Sequence, residues 1–215
     1  MVNGKLSWPR FIDAARASIA QGVEAWAAEA RISGGEVNGT SLFLPPGSLT
    51  AEADFSQAVA KSLLESGAPS DVAEAFARAW ESWHGWAASY SLFVPDAIPS
   101  FGAVAAPEAP ETPVEPLQLR DGSAPDRIWM TEESQRAGLS ELLARRASDP
   151  AARDGIARFA RWYASSFDKW FEEAILVNLV AKGPVPSLAP PYVPVGPVVK
   201  GFAFGSSVLK APPFG

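Results

Sequence analysis

The sequence predicts an all-α protein in which two tandem helical hairpins, plus an extra N-terminal helix, are each followed by a long proline-rich extended arm. Apolar residues recur at spacings of three and four in several long stretches, which is typical of amphipathic helices. The 20 prolines and 17 glycines are concentrated outside those stretches. Two similar five-residue segments, one in each half of the chain, suggest an internal duplication.

These observations divide the chain into four parts. The N-terminal helical unit covers residues 1–91, and the first arm covers 92–126. The C-terminal helical unit covers 127–183, as a possible repeat of 50–91, and the second arm covers 184–215.

Five helices are predicted in chain order from their starts and stops. They begin at good N-caps or at prolines suited to a first turn, and most stop at glycines. The predicted helices cover approximately residues 7–32, 50–66, 71–91, 131–147 and 150–182. The stretch 37–47, with its Asn38-Gly39 turn signal, is predicted to be a loop with a short extended piece.

The two arms differ in pattern. Between residues 92 and 125 prolines are too frequent for a helix, and polyproline-type extension would reach up to roughly 100 Å. In the second arm, apolar residues alternate at Val193, Val195, Phe202 and Phe204, so this segment could pair as a strand against another element.

The repeated segment is Phe-Ala-Arg-Ala-Trp at 76–80 and Phe-Ala-Arg-Trp-Tyr at 159–163. If the duplication is real, the two hairpins should pack face to face about a pseudo-twofold axis and bury both aromatic stripes. The alternative is a chance similarity between two alanine-rich helices.

Composition excludes several classes of function. The net charge of −6 disfavours sequence-independent nucleic-acid binding, which needs clustered Lys and Arg. The absence of cysteine excludes disulfides and thiolate metal sites. The N-terminus lacks the apolar segment of a signal peptide, and no apolar run approaches the roughly 20 residues of a membrane span.

Few residues suggest chemistry. Glu81 and His84 form a Glu-x-x-His motif, but a metal site of that type needs a second motif, and His84 is the only histidine. Two Ser-x-x-Lys patterns, at 166–169 and 207–210, lack the partner motifs of serine acyl-enzymes. We therefore predict no catalytic, cofactor-binding or metal-binding residue; an enzyme would have to use His84 or Lys169.

Tryptophans and exposed arm residues are the candidates for contacts with partners. Most of the eight tryptophans fit a core, whereas Trp86 and Trp162 fall outside the predicted core faces. The predicted partner-binding residues are Trp86, Trp162, Pro99, Pro110, Pro113, Pro186, Tyr192, Phe202 and Phe204.

The sequence thus favours a non-catalytic structural subunit of a large assembly, above all a bacteriophage virion or phage-tail-like particle, whose arms bind neighbouring subunits. Self-association is expected, and the location would be a virion or the bacterial cytoplasm. The alternative is a soluble adaptor whose Pro-x-x-Pro segment, Pro107 to Pro116, is recognised by partner domains. A helical enzyme and a membrane-surface protein rank lower.

Overall fold

The fold combines helices with antiparallel β-sheet. The computed structural model describes residues 7–52, 56–78, 81–102, 108–146, 149–189 and 193–215. Within these ranges a large antiparallel sheet is present together with two smaller ones, so the all-α prediction is wrong.

The described residues contain six α-helices and two short 3-10 helices. The α-helices are α1 (Trp8–Glu29), α2 (Ser56–Glu65), α3 (Ser70–Arg78), α4 (Glu81–Ser89), α5 (Glu132–Leu142) and α6 (Pro150–Glu173). The 3-10 helices are Leu119–Asp121 and Pro125–Met130. The prediction for Asp149 is confirmed, because its carboxylate accepts the Ala151 N–H at 2.9 Å and caps α6.

Strands occupy much of the chain between the helices. They are β1 (Arg31–Gly39), β2 (Ser41–Leu44), β3 (Leu49–Thr50), β4 (Leu92–Val94), β5 (Thr112–Pro113), β6 (Leu117–Gln118), β7 (Ile175–Leu176), β8 (Val180–Lys182), β9 (Leu188–Ala189), β10 (Val193–Pro194), β11 (Val198–Ser206) and β12 (Leu209–Lys210). The predicted helix at 150–182 therefore ends early, at Glu173, and its last quarter contributes β7 and β8.

The large sheet has the strand order β4-β2-β1-β11-β8-β5, with β3 also paired to β1. Its central pair joins β1, near the start of the chain, to β11, near its end. The hairpin between β1 and β2 turns at Gly39, whose φ of 70° favours glycine. The turn is the Asn38-Gly39 signal, but the residues on both sides of it form strands, which corrects the loop predicted for 37–47.

The proline-rich segments lie against the body of the chain, which corrects the prediction of free arms. In the first, the Ala109 N–H donates to the Gly183 carbonyl at 2.8 Å, and the Val114 N–H donates to the Leu179 carbonyl at 2.9 Å. In the second, β11 becomes a central strand of the large sheet. Residues between the prolines keep their N–H groups, so a proline-rich segment can still pair with a strand.

One face of the sheet packs against the helices. Inward residues of the strands, such as Ile32, Val37 and Ala203, are buried, and they share one continuous core with the apolar faces of the helices. Most of the aromatic load lies in this core, where Trp26, Trp83, Trp86, Trp170, Tyr163 and Phe167 are fully buried.

The two copies of the repeated segment meet in this core. The rings of Phe76 on α3 and Phe159 on α6 contact edge to face, with centroids 4.7 Å apart. Ala79 and Trp80, which complete the first copy, lie outside the described residues. The elements that follow differ, because α4 leads into β4 whereas α6 leads into β7 and β8.

Two buried tyrosines make the stability of the fold sensitive to alkaline pH. The hydroxyl of Tyr90 donates to the Leu119 carbonyl at 2.9 Å, and that of Tyr163 lies 3.9 Å from the Met130 sulfur. Burial raises the pKa of both hydroxyls, and the carboxylate of Asp121 raises that of Tyr90 further. Unfolded tyrosines lose their proton near pH 10, so these two contribute full stability below that pH and lose it as pH rises above.

We therefore expect the free energy of unfolding to fall above about pH 10, by up to about 1.4 kcal/mol per pH unit for each tyrosine. Urea unfolding between pH 8 and 11.5 measures this slope. Tyr163→Phe should reduce the fall of the unfolding free energy with pH by the contribution of one tyrosine, up to about 1.4 kcal/mol per pH unit. Equal slopes in the variant and the wild type would show that Tyr163 does not keep its proton in the folded state.

Candidate partner-binding surface

The outer face of the large sheet, opposite the helices, carries phenylalanine side chains. Along β2, Leu42 and Leu44 are buried while Phe43 between them is exposed. Along β11, Ala203 is buried while Phe202 before it is exposed. Because side chains alternate between the two faces of a strand, the exposed residues all lie on the face that the helices leave uncovered.

Strand register aligns five of these outward residues in a single row across the sheet, which we call the sheet row. Phe93 on β4 is opposite Phe43 on β2, which is opposite Glu36 on β1. Glu36 is in turn opposite Phe202 on β11, which is opposite Lys182 on β8. The sheet row therefore reads Phe93, Phe43, Glu36, Phe202, Lys182.

The phenylalanines of the sheet row expose a large apolar area for a surface. The exposed fraction is 62% for Phe93, 36% for Phe43 and 50% for Phe202. At about 200 Å² for a whole phenylalanine, these three rings expose roughly 300 Å². The ring of Phe204 stacks on that of Phe202 at 5.7 Å and extends the patch along β11. Apolar patches of a few hundred Å² are typical of interaction sites.

Charged groups on this face are only loosely paired. Lys182 Nζ lies 4.0 Å from the carboxylate of Glu111, with 35% of the lysine side chain and 62% of the glutamate side chain exposed. Such a pair contributes little in water. Glu36, between Phe43 and Phe202, is exposed. The face thus presents Glu36 on one of the strands that flank Phe202, and Lys182 with its loosely paired Glu111 on the other side.

The edges of the sheet are poor sites for adding another strand. At one edge, β5 is two residues long and contains Pro113, which has no N–H to donate. At the other edge, β4 is three residues long and is followed by Pro95. Short edge strands and prolines protect a sheet against edge-to-edge pairing, so the outer face is the better surface for a partner.

Seven of the nine predicted partner-binding residues, all except the two tryptophans, fall into three groups. Phe202, Phe204 and Pro113 come together on the outer face of the sheet, and the strand expected near Phe202 and Phe204 is confirmed. Three further prolines are exposed elsewhere on the body, at positions 99, 110 and 186. Tyr192 lies outside the described residues.

The two candidate tryptophans occupy different environments. Trp86 is fully buried, with its ring centroid 5.5 Å from that of Phe167 and 5.7 Å from that of Trp170. Trp162 is half-buried, between the ring of Phe214 and the guanidinium of Arg16, which lies 5.6 Å from the indole. The placement of Trp86 off the core face is wrong, because Trp86 and Trp83, three residues apart on α4, both pack against the Trp170 ring of α6, at 5.7 and 5.0 Å.

Phe43 and Phe93 were missed as candidates. Phe43 lies in the stretch predicted to be mainly loop, and Phe93 lies just after a predicted helix. Both phenylalanines lie in short apolar runs, Leu42-Phe43-Leu44 and Leu92-Phe93-Val94, which are consistent with strands but do not show which side chain is exposed. Their exposure on one face follows from the pairing of β4 with β2.

The residues that could take part in catalysis or metal binding do not come together in one site. No group of three or more metal-ligating side chains occurs in the described parts of the chain. In the first Ser-x-x-Lys pattern Ser166 is buried while Lys169 is exposed, so the two side chains point to different environments. In the second, Ser207 and Lys210 are both on the surface, and Ser207 has a φ of 49°.

A cleft of about 380 Å³ lies between α4 and α5. Trp129 and Leu142 form part of its apolar lining. The amide nitrogen of Gln135 donates to Ser82 Oγ at 3.0 Å and to the Trp129 carbonyl at 2.7 Å. These donors in the wall of the cleft are therefore engaged with the protein itself.

The fold and this face define a mixed α/β protein with an open aromatic sheet face. Comparisons of the chain with protein-family models, curated proteins and solved structures give no match. The virion and phage assignment from the sequence accordingly has no support from a known relative. Among the described helices, none combines the length and apolar character that crossing a bilayer requires.

Proposed function

We propose that this protein is a non-catalytic structural subunit of a protein assembly. The observation that supports the proposal best is the apolar patch on the outer sheet face, formed by Phe43, Phe93 and Phe202. A sheet that packs on a large aromatic core is a rigid platform, and phenylalanines held on a rigid platform lose little side-chain entropy on binding. Contacts of this kind suit permanent assembly between subunits.

Exposed prolines extend the proposed contact surface. Pro99, Pro110 and Pro186 are held on the body of the chain by neighbouring backbone hydrogen bonds, such as that from the Ile98 N–H to the Thr40 carbonyl at 2.9 Å. In this proposal the proline-rich segments contact neighbouring subunits from fixed positions on the body. A bacterial cytoplasmic location belongs to the same proposal.

The test is to isolate the chain from the organism that encodes it. A tagged chain expressed from its own locus is fractionated on a sucrose gradient and imaged by negative-stain electron microscopy. We expect the chain in discrete particles at fixed stoichiometry, and the shape of the particle identifies its kind. Migration only as the free chain or a dimer, under all growth conditions, would overturn the proposal.

A matched variant links the particle to the patch. In Phe43→Ser/Phe93→Ser/Phe202→Ser the three replaced side chains are all at least one-third exposed, so the variant should remain folded by circular dichroism. We expect it to leave the particle fraction. Full incorporation of the folded variant would exclude the sheet face as the contact surface.

A soluble adaptor is the second candidate, and the spacing of three exposed prolines favours it. Pro110, Pro113 and Pro116 are all exposed and recur every third residue, the period of the polyproline helix that proline-binding domains recognise. Val114 between them is buried, so only one side of this segment is available. Binding of a 108–118 peptide to such a domain, lost when the three prolines are replaced by alanine, would support the adaptor over the assembly subunit.

A further inference from the structure

We infer that the outer sheet face binds a second copy of this chain. The two copies are related by a two-fold axis that lies above β11 and runs parallel to it. The inference deepens the proposed function, since it names the surface through which the subunit would self-associate. It rests on the order of charges in the sheet row, on the residues along β11 and on the size of the face.

The charges of the sheet row are opposite on the two sides of Phe202. Glu36 stands on the neighbouring strand on one side, and Lys182 stands on the neighbouring strand on the other. A two-fold axis above β11 and parallel to it reverses the order of strands in the second copy. Glu36 of each copy then faces Lys182 of the other, which gives two ion pairs from one operation.

The other orientation of the axis is disfavoured by the same residues. A two-fold axis along the sheet row would place Glu36 over Glu36 of the second copy and Lys182 over Lys182 of the second copy. Like charges that face each other across an interface are repulsive. Charge therefore selects the axis parallel to the strands.

Residues along β11 complete the contact. Phe202 and Phe204 lie under the axis, so each contacts the same residue of the second copy. This brings four rings together at the centre of the interface. Two sheets that pack face to face lie about 10 Å apart, a distance that aromatic side chains from both sheets fill. Exposed Lys200, at the bulged end of β11, also lies near Lys200 of the second copy on this axis, so one like-charge approach stands against the two ion pairs.

The size of the face predicts a weak dimer. The central strands β1 and β11 are nine residues each, or about 30 Å, so the overlap covers on the order of 500 Å² per copy. This is at the low end for specific interfaces, and we expect a Kd of roughly 10–100 µM. Repetition of such a contact in an assembly strengthens it through multivalency.

Charge reversal tests the geometry directly by sedimentation velocity from about 1 to 500 µM. The wild type should dimerise, whereas Glu36→Lys and Lys182→Glu should each weaken the dimer roughly 10- to 100-fold, since each converts two attractive pairs into two repulsive ones. An equal mixture of the two variants should form a heterodimer. In the heterodimer, the lysine introduced at position 36 of one chain faces the glutamate introduced at position 182 of the other. The unchanged Lys182 of the first chain faces the unchanged Glu36 of the second. The double variant should recover the homodimer.

Two phenylalanine variants provide a matched pair. Phe202→Ser should weaken the dimer at least tenfold. Phe93→Ser is the control, because the axis above β11 carries Phe93 beyond the β5 edge of the second copy, and this variant should dimerise like the wild type. Both side chains are at least half exposed, so both variants should keep the wild-type circular dichroism spectrum.

A monomeric wild type up to 500 µM would overturn the inference, and so would a dimer that both charge reversals leave intact. Failure of the mixture to form a heterodimer would exclude this axis. These outcomes are distinct from failure of the proposed function. A monomer that still enters a particle leaves the structural role standing, whereas a dimer that enters no particle removes the role and keeps the interface.

Discussion

Trp86→Ala is expected to reduce the free energy of unfolding by about 3–5 kcal/mol, a large part of the total for a chain of this size. The Trp86 indole is fully buried, with the Trp83 ring 5.2 Å away and the Phe167 and Trp170 rings at 5.5 and 5.7 Å. Alanine would leave a large cavity at the junction of α1, α4 and α6. Chemical denaturation of the wild type and the variant measures the loss.

Trp86→Phe is the matched control. The indole Nε1 of Trp86 is buried and has no hydrogen-bond partner among the described residues. Phenylalanine removes this unsatisfied donor, which offsets part of the lost volume, so we expect a change within about 1.5 kcal/mol. A small effect of Trp86→Ala would instead mean that the indole is not packed as described and is available at the surface.

Gly201→Ala is expected to separate β8 from β11 and to destabilise the chain by about 3 kcal/mol or more. A Cβ at Gly201 would lie 2.6 Å from the Lys182 carbonyl oxygen and 3.3 Å from the Gly183 Cα. These contacts are with backbone, which cannot rotate out of the way. Hydrogen exchange at Val180–Lys182 should become faster, and the free energy of unfolding should fall.

Gly138→Ala is the control for this prediction. Gly138 lies within α5, and a Cβ there would meet no atom within 4 Å. Alanine is the better helix former by about 1 kcal/mol, so this variant should be more stable than the wild type. If both variants behaved alike, the close approach of β8 and β11 would not be the cause of the effect at Gly201.

Helices were predictable because their signals are local. Asp149 and Pro150 mark the start of α6 through cap geometry and the fixed φ of proline. The spacing of Phe159, Tyr163 and Phe167 identifies the buried face of the same helix. Predicted helices extended too far where no stop residue was present, as at Ala174, where the chain turns into β7.

Strands were missed because partners far away in the chain create them. β1 has the sequence Arg-Ile-Ser-Gly-Gly-Glu-Val-Asn-Gly, which contains three glycines and has low intrinsic strand preference. It becomes the centre of the sheet because β11 pairs with it from about 170 residues away, an order of separation that no sequence window covers. Gly35 is needed there, since a Cβ would lie 2.9 Å from the Ala203 carbonyl oxygen.

The candidate surface likewise combines residues that a local pattern predicts with residues that only strand pairing brings together. Phe202 and Phe204 were selected from alternation along one strand, which is a local pattern. Their neighbours Phe43, Phe93 and Glu36 come from three other segments of the chain, and only the strand register places them in one row.

The sequence by itself determined where four of the five predicted helices begin, which of their faces are apolar and that the described proline-rich residues form no α-helix. These properties depend on caps, spacing and backbone geometry within a few residues. The predicted start at Thr50 is wrong, because Thr50 pairs in β3. Only the tertiary structure decided that the proline-rich segments belong to the sheet and that Trp86 is in the core. The reason is that strand pairing and burial depend on which distant segments meet, and the hydrogen bonds of a sheet join residues that are neighbours only in space.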